Sequence, residues 1–515
     1  MASVIHPATQ NAQQIVAVTA WLRSHAVGAE LIADSRAIKQ GDVFFAYPGE
    51  GSDGRHFIAD ACAKQASAVV CEAQGLQWQA EWTLPHLPVV GLKKIAGPIA
   101  NAYYQQPDAG MFSVAVTGTN GKTSCSQWIG NALSQLGMPT AVIGTLGINV
   151  FKLGSHGDFE VTGNTTPDAL LLQRKLASLS REGVAAIAIE ASSIGLHQAR
   201  MDGMHVDVAV FTNLTRDHLD YHLDMTAYLE AKEILFNWPG LQHAVINLDD
   251  ENGLRLVAHL RAHAPRVNII GTSLHKVEVE GITILRARDI RNANGTTVFH
   301  LEAGGASKLV RTQVIGKFNV SNILAVLGVL TAKGTNLPAA INAVENLNAI
   351  PGRMQQLGGR DAPLVVVDYA HTPDALEKAL ATLREVAQER HGKLWCVFGC
   401  GGNRDHGKRP QMGAISQAAD QVVLTSDNPR SEESASIMAQ IAAGMDLAKG
   451  APQLIEDRAA AILWAVRHAE RGDVVLLAGK GHESTQEIKG RRLPFLDLDH
   501  AALALATRIG NKGAF

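Results

Sequence analysis

Short apolar runs alternate with polar loops and helix-length amphipathic segments along most of the chain. In the last third, four runs cover 364–367, 394–398, 422–425 and 474–477, and each leads into a loop of Gly, Asp, Arg or His residues. Buried strands of a parallel sheet have this pattern, and their carboxyl ends share one edge where ligands bind. We therefore predict a Rossmann-like sheet with a ligand site at that edge.

The same alternation fills the middle of the chain, and a smaller set of apolar runs precedes it. Runs at 184–189 and 206–211 predict buried central strands, whereas 43–47 and 68–71 predict a small N-terminal α/β unit. A Pro-Gly pair at 351–352 breaks the pattern. The length of 515 residues suits about three domains. We predict an α/β protein with domains at 1–110, 111–349 and 350–515, the central one a P-loop ATPase-like domain with a mostly parallel sheet.

A glycine-containing loop follows the apolar run at 114–116 and opens a helix that is expected to stop at Gly137. Loop N–H groups and a helix N-terminus bind phosphate, a Lys at this place reaches the β/γ-phosphates, and the next hydroxyl ligates Mg²⁺. Val116 stands where the common motif has its first glycine, so an ordinary glycine βα turn is the alternative. We predict ATP binding by Gly118, Thr119, Asn120, Gly121, Lys122, Thr123 and Ser124.

Polar side chains follow the central strands. Glu190 ends an apolar run, which is where the magnesium carboxylate of such folds lies; the alternative is a solvated strand-end glutamate. His218 and His222 come after the next strand without a His-Glu-x-x-His pattern, so magnesium or substrate contact is favoured over zinc. Thr166 is expected to cap a helix that begins at the following proline. From the pattern alone, Lys232 is expected on a solvated helix face.

The composition narrows the class of protein. The chain is 46% hydrophobic and 18% charged, with a net charge of −3, which argues against nucleic-acid partners. Its five cysteines are scattered and odd in number, which favours a reducing compartment. The first twenty residues lack a basic start, and no apolar run approaches the roughly 18 residues of a membrane span. We therefore predict a cytoplasmic protein without membrane insertion.

A triphosphate cradle, a magnesium carboxylate and two further binding domains suggest ATP-driven joining of two substrates. The sequence has neither a Gly-x-Ser-x-Gly nucleophile elbow nor a His-Arg-Asp catalytic loop. A substrate carboxylate can itself attack the γ-phosphate, after which an amine converts the acyl phosphate to an amide. This chemistry needs little from the protein beyond positioning and charge neutralisation.

The motifs together resemble the Mur ligase family, over all three predicted domains. They are Gly118-Thr119-Asn120-Gly121-Lys122-Thr123, Glu190-Ala191-Ser192-Ser193, Thr212-Asn213-Leu214, Asp217-His218-Leu219-Asp220-Tyr221-His222, Asp368-Tyr369-Ala370-His371-Thr372-Pro373 and Gly479-Lys480-Gly481-His482-Glu483. Ile194 departs from the family, in which histidine is frequent at this position.

The resemblance implies roles for individual residues. The N-terminal domain would hold a uridine nucleotide through Ser35 and the loop at 50–52. Thr123, Glu190 and His218 would serve magnesium, together with a carbamylated Lys232. The expected catalytic residues are Lys122, Glu190, His218 and Lys232. The muramoyl dipeptide would contact Asn164, Thr165, Thr166, Ser192, Gln198 and Arg200. The adenosine would contact Asn319, Asn322, Arg353, Asp368 and His371.

The resemblance also implies two substrates, UDP-N-acetylmuramoyl-L-alanyl-D-glutamate and meso-diaminopimelate, for an enzyme that is expected to be a monomer. Diaminopimelate differs from lysine by a second carboxylate, and Arg430 offers a bidentate partner for one. With lysine, a buried Arg430 would stay unpaired at a cost of several kcal/mol. The amino-acid contacts would be Arg404, Asp427, Asn428, Pro429, Arg430, Gly479 and Glu483.

Three alternatives stay open. A lysine-adding enzyme would run the same reaction with another amino acid. A folylpolyglutamate synthase shares the ATP fold and the amide chemistry but lacks a uridine-binding front domain. A nucleotide-dependent switch would form no product, although no Asn-Lys-x-Asp guanine signature is present.

Overall fold

The computed structural model describes residues 7–153, 155–293 and 296–510. Residues 7–110 contain a four-stranded sheet in which neighbouring strands run parallel, in the order β1-β2-β3-β4. Its strands are β1 (Leu31–Ile32), β2 (Val43–Ala46), β3 (Ala68–Glu72) and β4 (His86–Val89). Its helices are α1 (Pro7–His25), α2 (Ile58–Ala63) and α3 (Leu92–Tyr103), with short 3-10 helices at Ser35–Ala37 and Gly54–Phe57.

The second unit is built on an 11-stranded sheet in the order β15-β14-β13-β12-β11-β10-β5-β9-β6-β7-β8. Its strands are β5 (Phe112–Thr117), β6 (Thr140–Gly144), β7 (Gly147–Lys152), β8 (Ser155–His156), β9 (Ala186–Glu190), β10 (Val208–Phe211), β11 (His243–Asn247), β12 (Asn268–Ser273), β13 (Thr283–Ala293), β14 (Thr296–Ala303) and β15 (Ala306–Thr312). Its helices are α4 (Lys122–Gln135), α5 (Ala169–Arg181), α6 (Ser193–His197), α7 (Leu219–His222), α8 (Met225–Glu233), α9 (Glu251–His263), α10 (Lys317–Ala332) and α11 (Leu337–Glu345), with a 3-10 helix at Ile234–Asn237. Neighbouring strands from β13 across to β6 pair in parallel, and the strands at both edges pair antiparallel.

The third unit holds a six-stranded sheet in the order β16-β17-β21-β18-β19-β20 and a separate hairpin of β22 and β23. Its strands are β16 (Gln355–Gly358), β17 (Leu364–Asp368), β18 (Leu394–Phe398), β19 (Gln421–Leu424), β20 (Gln453–Leu454), β21 (Val474–Ala478), β22 (Thr485–Ile488) and β23 (Arg491–Pro494). Its helices are α12 (Pro373–Glu389), α13 (Lys408–Ser416), α14 (Ser434–Ala442), α15 (Arg458–His468) and α16 (Asp497–Gly510), with a 3-10 helix at Leu447–Lys449. Only β16 pairs antiparallel within the six-stranded sheet. The predicted α/β class with a mostly parallel central sheet is confirmed.

Strand β5 shows how the apolar runs produce this architecture. Val114 and Val116 join the buried cluster on one face of the central sheet, where Trp128 of α4 packs, and Ala115 joins the cluster on the other face. Side chains alternate between faces along a strand, so an unbroken apolar run suits a strand that is covered on both sides. The strand ends where Thr117 meets the glycine loop. Among the described residues, none of the helices is both long and apolar enough to cross a membrane.

Two local expectations were wrong. Thr166 does not cap a helix, because its hydroxyl donates to the backbone oxygen of Glu190 at 2.7 Å. Asp168 caps α5 instead, with its carboxylate accepting from the N–H groups of Leu170 and Leu171. Lys232 is not solvated, because its side chain is only 1% exposed. The pattern of hydrophobic positions in its helix does not show which way this lysine points.

Candidate functional site

A cavity of about 1160 Å³ lies where the three units meet. Most of the predicted site residues line it, namely Thr119, Asn120, Gly121, Lys122, Thr123, Ser124, Asn164, Thr165, Glu190, Ser192, Gln198, Arg200, His218, Asn319, Asn322, Arg353, Asp368, His371, Arg404, Asp427, Asn428, Arg430, Gly479 and Glu483. Ser35, Gly118, Thr166, Lys232 and Pro429 are not in its lining. Ser35 lies buried in the first unit, where its backbone oxygen accepts from Lys64.

The loop between β5 and α4 needs glycine at both ends. Gly118 has a φ of +142°, and a Cβ there would stand 1.9 Å from the Thr212 hydroxyl oxygen. Gly121 caps α4 with a φ of +90°, and its Cβ would stand 2.5 Å from the Asn322 side-chain oxygen. Both positions therefore combine a left-handed backbone with close packing. The N–H groups of Thr119 and Asn120 donate to Asn213, so the start of α4 is the part of this motif that can meet a phosphate group.

Lys122 folds back over this loop. Its Nζ donates to the backbone oxygens of Gly118 at 2.8 Å and Thr119 at 2.9 Å. Burial lowers the pKa of Lys122, against the opposing effect of Glu190. A cation held at the loop mouth by two carbonyls can turn toward an entering phosphate group.

Glu190 ends β9 and is fully buried. The Thr123 hydroxyl donates to its Oε2 at 3.0 Å, and the Thr145 hydroxyl donates to the same oxygen at 3.0 Å. The Thr145 N–H donates to the other carboxylate oxygen at 2.9 Å. Hydroxyl and carboxylate oxygens in this arrangement fit Mg²⁺, which prefers oxygen ligands and keeps several waters or phosphate oxygens of its own. Among the described residues, no group of three or more His, Cys, Asp or Glu side chains is arranged to hold a metal ion.

An acidic and imidazole cluster lies beside the phosphate loop. Asp217 has His218 at 3.5 Å and His371 at 3.7 Å from its Oδ2. Although burial alone would raise the pKa of Asp217, the neighbouring histidines hold it well below its usual range. Burial lowers the pKa of His218 to about 4, so its imidazole is neutral near pH 7.

Lys232 of α8 reaches the same place from behind the loop. Its ammonium donates one hydrogen bond, to the Gly118 backbone oxygen at 3.0 Å, and lies 4.2 Å from the centroid of the Tyr228 ring. Burial, with nearby Lys122, holds the pKa of Lys232 well below its usual range. Burial of this kind disfavours the charged form of a lysine, which makes its amine more available as a nucleophile.

A hydrogen-bonded chain joins the central unit to the loop at 48–54. Arg200 donates to the Gln198 side-chain oxygen at 2.9 and 2.6 Å and to the Thr166 backbone oxygen at 2.9 Å. Gln198 donates to the Tyr221 hydroxyl at 3.2 Å, and Tyr221 donates to Glu50 at 2.5 Å. Ser192 caps α6 and lies 2.8 Å from the Thr166 hydroxyl. Asn164 and Thr165 line the cavity next to this chain.

The segment between α11 and β16 brings the third unit into contact with the phosphate loop. Arg353 donates to the Thr123 hydroxyl at 3.1 Å and lies 4.3 Å from the centroid of the Tyr369 ring. Asp368 accepts from the Met354 N–H at 2.8 Å, and burial raises its pKa. Buried Asn319 and Asn322 of α10 lie beside Gly121.

At the carboxyl edge of the six-stranded sheet, charged side chains of both signs face the cavity. Asn428 donates to the Glu483 carboxylate at 2.7 Å, and Arg430 donates one hydrogen bond, to the Gly402 backbone oxygen at 2.7 Å. Arg430 keeps further N–H groups for a ligand. Arg404 lies 3.8 Å from Asp220 of the central unit. The four strand-end loops predicted to form a site therefore meet at one edge.

Sequence reasoning missed two side chains that hold this site together. Thr145 donates two hydrogen bonds to Glu190. Its position directly after the apolar strand β6 is the feature of the sequence that could have identified it. Tyr221 lies in the motif at 217–222, but its hydrogen bond joins it to Glu50, which is 171 positions away and shares no local pattern with it.

The chain matches known families along most of its length. The Mur ligase catalytic domain family matches residues 29–104, the Mur ligase middle domain matches 116–330, and the glutamate ligase domain of Mur ligases matches 352–481. A protein of Janthinobacterium sp. (strain Marseille), named UDP-N-acetylmuramoyl-L-alanyl-D-glutamate--2,6-diaminopimelate ligase, is 63% identical over 96% of this chain and 97% of its own. A solved structure under the same name is 36% identical, with a TM-score of 0.64 over 93% of this chain and 95% of its own. A ligase of Thermotoga maritima in complex with ADP, 18% identical over 94% of this chain and 98% of its own with a TM-score of 0.64, shares the fold. The chain belongs to the Mur ligase family of ATP-dependent amide ligases.

Proposed function

We propose that this ligase joins meso-2,6-diaminopimelate to UDP-N-acetylmuramoyl-L-alanyl-D-glutamate in peptidoglycan precursor synthesis. One observation carries the proposal: a single cavity links the phosphate loop to a pocket that presents Arg430 and Glu483. The names of the similar proteins point to the same reaction. A lysine-adding enzyme would have no use for a guanidinium at the far end of its amino-acid pocket.

ATP binds at Gly118 to Ser124 in this proposal, with its adenosine near Asn319, Asn322, Arg353, Asp368 and His371. Thr123, Glu190 and His218 would hold magnesium, and the Thr123 hydroxyl and Glu190 carboxylate supply oxygen ligands of the kind that this ion prefers. When bound, magnesium supplies charge neutralisation at the phosphates. Lys122 adds a positive charge at the mouth of the loop, where it can follow the γ-phosphoryl group.

The reaction then has two covalent steps. The glutamate carboxylate of the dipeptide attacks the γ-phosphorus, the bond to the ADP oxygen breaks, and an acyl phosphate forms. The amine of diaminopimelate attacks the acyl carbon, loses a proton, and expels phosphate as the amide forms. Asn164, Thr165, Ser192, Gln198 and Arg200 line the cavity and orient the dipeptide, with Thr166 2.8 Å from the Ser192 hydroxyl behind them. Exclusion of water around the acyl phosphate would limit its hydrolysis.

The amino-acid pocket selects for the distal carbon of diaminopimelate, which carries both an ammonium and a carboxylate. Arg430 and Arg404 pair with carboxylate, while Glu483, Asp427 and the backbone near Gly479 receive ammonium. Asn428 and Pro429 shape the loop that presents Arg430. Lysine lacks the distal carboxylate and would leave Arg430 with only the Gly402 backbone oxygen and Glu487, 3.9 Å away, as partners.

Lys232 carries a carbamate in the active enzyme. The unprotonated form of its amine attacks carbon dioxide and gives up a proton, which leaves an anionic carbamate beside the phosphate loop. Ser35 and the loop at 50–52 hold the uridine nucleotide. We place the reaction in the cytoplasm, where ATP and uridine nucleotides are available, and propose that the enzyme acts as a monomer.

The test is phosphate release with ATP, Mg²⁺ and the muramoyl dipeptide, screened across meso-diaminopimelate, L-lysine, L-glutamate and D-alanyl-D-alanine, with amide product measured in parallel. We expect equal amounts of phosphate and amide with diaminopimelate, and a kcat/KM for lysine lower by about a hundredfold or more. Comparable kcat/KM values for the two amino acids would refute the specificity. Phosphate release without amide would refute the ligase reaction.

A further inference from the structure

Lys480 lies just after β21, and its side chain is fully buried. Its Nζ donates to the Asn428 side-chain oxygen at 3.1 Å, to Glu483 Oε2 at 2.9 Å and to the Thr485 backbone oxygen at 2.8 Å. An ammonium has three N–H donors, so every donor of Lys480 has a partner. A buried charge with this complete set of bonds is held in one place.

These bonds decide which way two pocket side chains point. The Asn428 side-chain oxygen accepts from Lys480 and from the Glu487 N–H at 3.0 Å, so its amide nitrogen must turn toward Glu483. That nitrogen donates to Glu483 Oε2 at 2.7 Å. Oε2 thus accepts two hydrogen bonds, whereas Oε1 accepts none from the described residues. Glu483 lines the cavity with one carboxylate oxygen committed to the protein and one available to a ligand.

We propose that Lys480 is the positioning residue of the amino-acid pocket, which acts on the substrate only through Glu483 and Asn428. Its hydrogen bond to Oε2, with that of Asn428, holds the Glu483 carboxylate in a defined orientation, with Oε1 placed to accept a substrate ammonium. The inference rests on the proposed function, because it takes the ligand of this pocket to be the amino acid that is added.

A purely structural role makes a different prediction. The bond to Thr485 ties Lys480 to the start of β22, so its loss could loosen the hairpin without regard to Glu483. In that case every substrate would be affected alike, and the loss would be independent of the residue at position 483. A positioning role confines the effect to the amino acid and makes it depend on Glu483.

The experiment is a double-mutant cycle of Lys480→Met and Glu483→Gln, with KM measured for ATP, for the muramoyl dipeptide and for diaminopimelate. Loss of a hydrogen bond to a charged group predicts that Lys480→Met lowers kcat/KM for diaminopimelate by about ten- to a hundredfold. The KM for ATP should change by less than about twofold, and Lys480→Met in the Glu483→Gln background should cost less than about threefold.

Arg390→Met is the matched control, because Arg390 also anchors backbone oxygens of the same unit, at Gly359 and Gly472, away from the pocket. It should leave the KM for diaminopimelate unchanged. If Lys480→Met does not fold, Lys480→Gln keeps an N–H donor without the charge and should still raise that KM severalfold. The proposal is overturned if the losses of Lys480→Met and Glu483→Gln multiply fully in the double variant, or if Lys480→Met raises the KM for ATP as much as the KM for diaminopimelate. A wild-type enzyme that forms no amide with diaminopimelate overturns the proposed function instead, which the wild-type assay shows first.

Discussion

Replacing Lys232 by methionine separates the chemical role of this lysine from its part in stability. Burying an unpaired ammonium costs several kcal/mol. In its unmodified, charged form, Lys232 recovers about 1 kcal/mol from its single hydrogen bond to Gly118 and about 2 kcal/mol from the Tyr228 ring. Methionine has a similar length and needs no partner, so we expect Lys232→Met to keep the Tm or raise it. Activity should nevertheless fall by at least about a hundredfold, since a carbamate can no longer form.

The assay is phosphate release together with thermal unfolding of the same samples. Short-chain carboxylic acids should restore part of the activity of Lys232→Ala, because they return an anion to the space that the side chain leaves, and wild-type activity should fall when carbon dioxide is removed. Lys333→Met is the matched control: its ammonium lies 4.5 Å from the Phe112 ring centroid, outside the cavity, and activity should be unchanged. A Lys232→Met enzyme with wild-type kcat would refute the reasoning, as would equal losses in both variants.

Three further outcomes follow from particular contacts. Arg430→Met should lower kcat/KM for diaminopimelate by about a hundredfold but that for lysine by less than about threefold, and equal losses in the two assays would contradict the pairing. Gly118→Ala should weaken ATP binding by at least about tenfold in calorimetry, because its Cβ would stand 1.9 Å from the Thr212 hydroxyl oxygen; unchanged affinity would show that the loop can relax. The Arg409 guanidinium lowers the pKa of Glu432 from 4.5 to about 2, so this pair stabilises the fold above pH 4.5, and that contribution is lost as the pH falls toward 2. Glu432→Gln should therefore lower the Tm at pH 7, with the difference shrinking below pH 4.5; a constant difference across that range would contradict the assignment.

The strands were predictable because burial on both faces leaves an unmistakable pattern. The run that became β21 (Val474–Ala478) has no exposed position, so only a covered parallel strand suits it. The residue that caps α5 could not be predicted from the local sequence in the same way. Thr166 and Asp168 are both good capping residues, and the bond from Thr166 to the Glu190 backbone, 24 positions away, decided between them.

Lys232 shows why periodicity fails for a site residue. Its helix α8 has only a weak separation of polar and apolar faces, and a lysine in it is ordinarily solvated. Here the helix packs its lysine against the phosphate loop, a contact with Gly118 across 114 positions. Only the resemblance to a family, which carries information about tertiary contacts, assigned this residue a role.

The amino-acid pocket has one feature that the sequence predicts and one that it does not. Its residues stand in loops at strand ends, so their meeting at one edge follows from parallel pairing of β17, β18, β19 and β21. Their orientations do not follow from that pairing, because an asparagine or glutamate at a loop can turn in several directions. The buried Lys480 removes this freedom for Asn428 and Glu483. Binding of the amino acid, which the sequence assigned to Arg430 and the side chains around it, therefore depends in this proposal also on a cation that never touches the substrate, and the contribution of that cation becomes measurable only when Glu483 is varied with it.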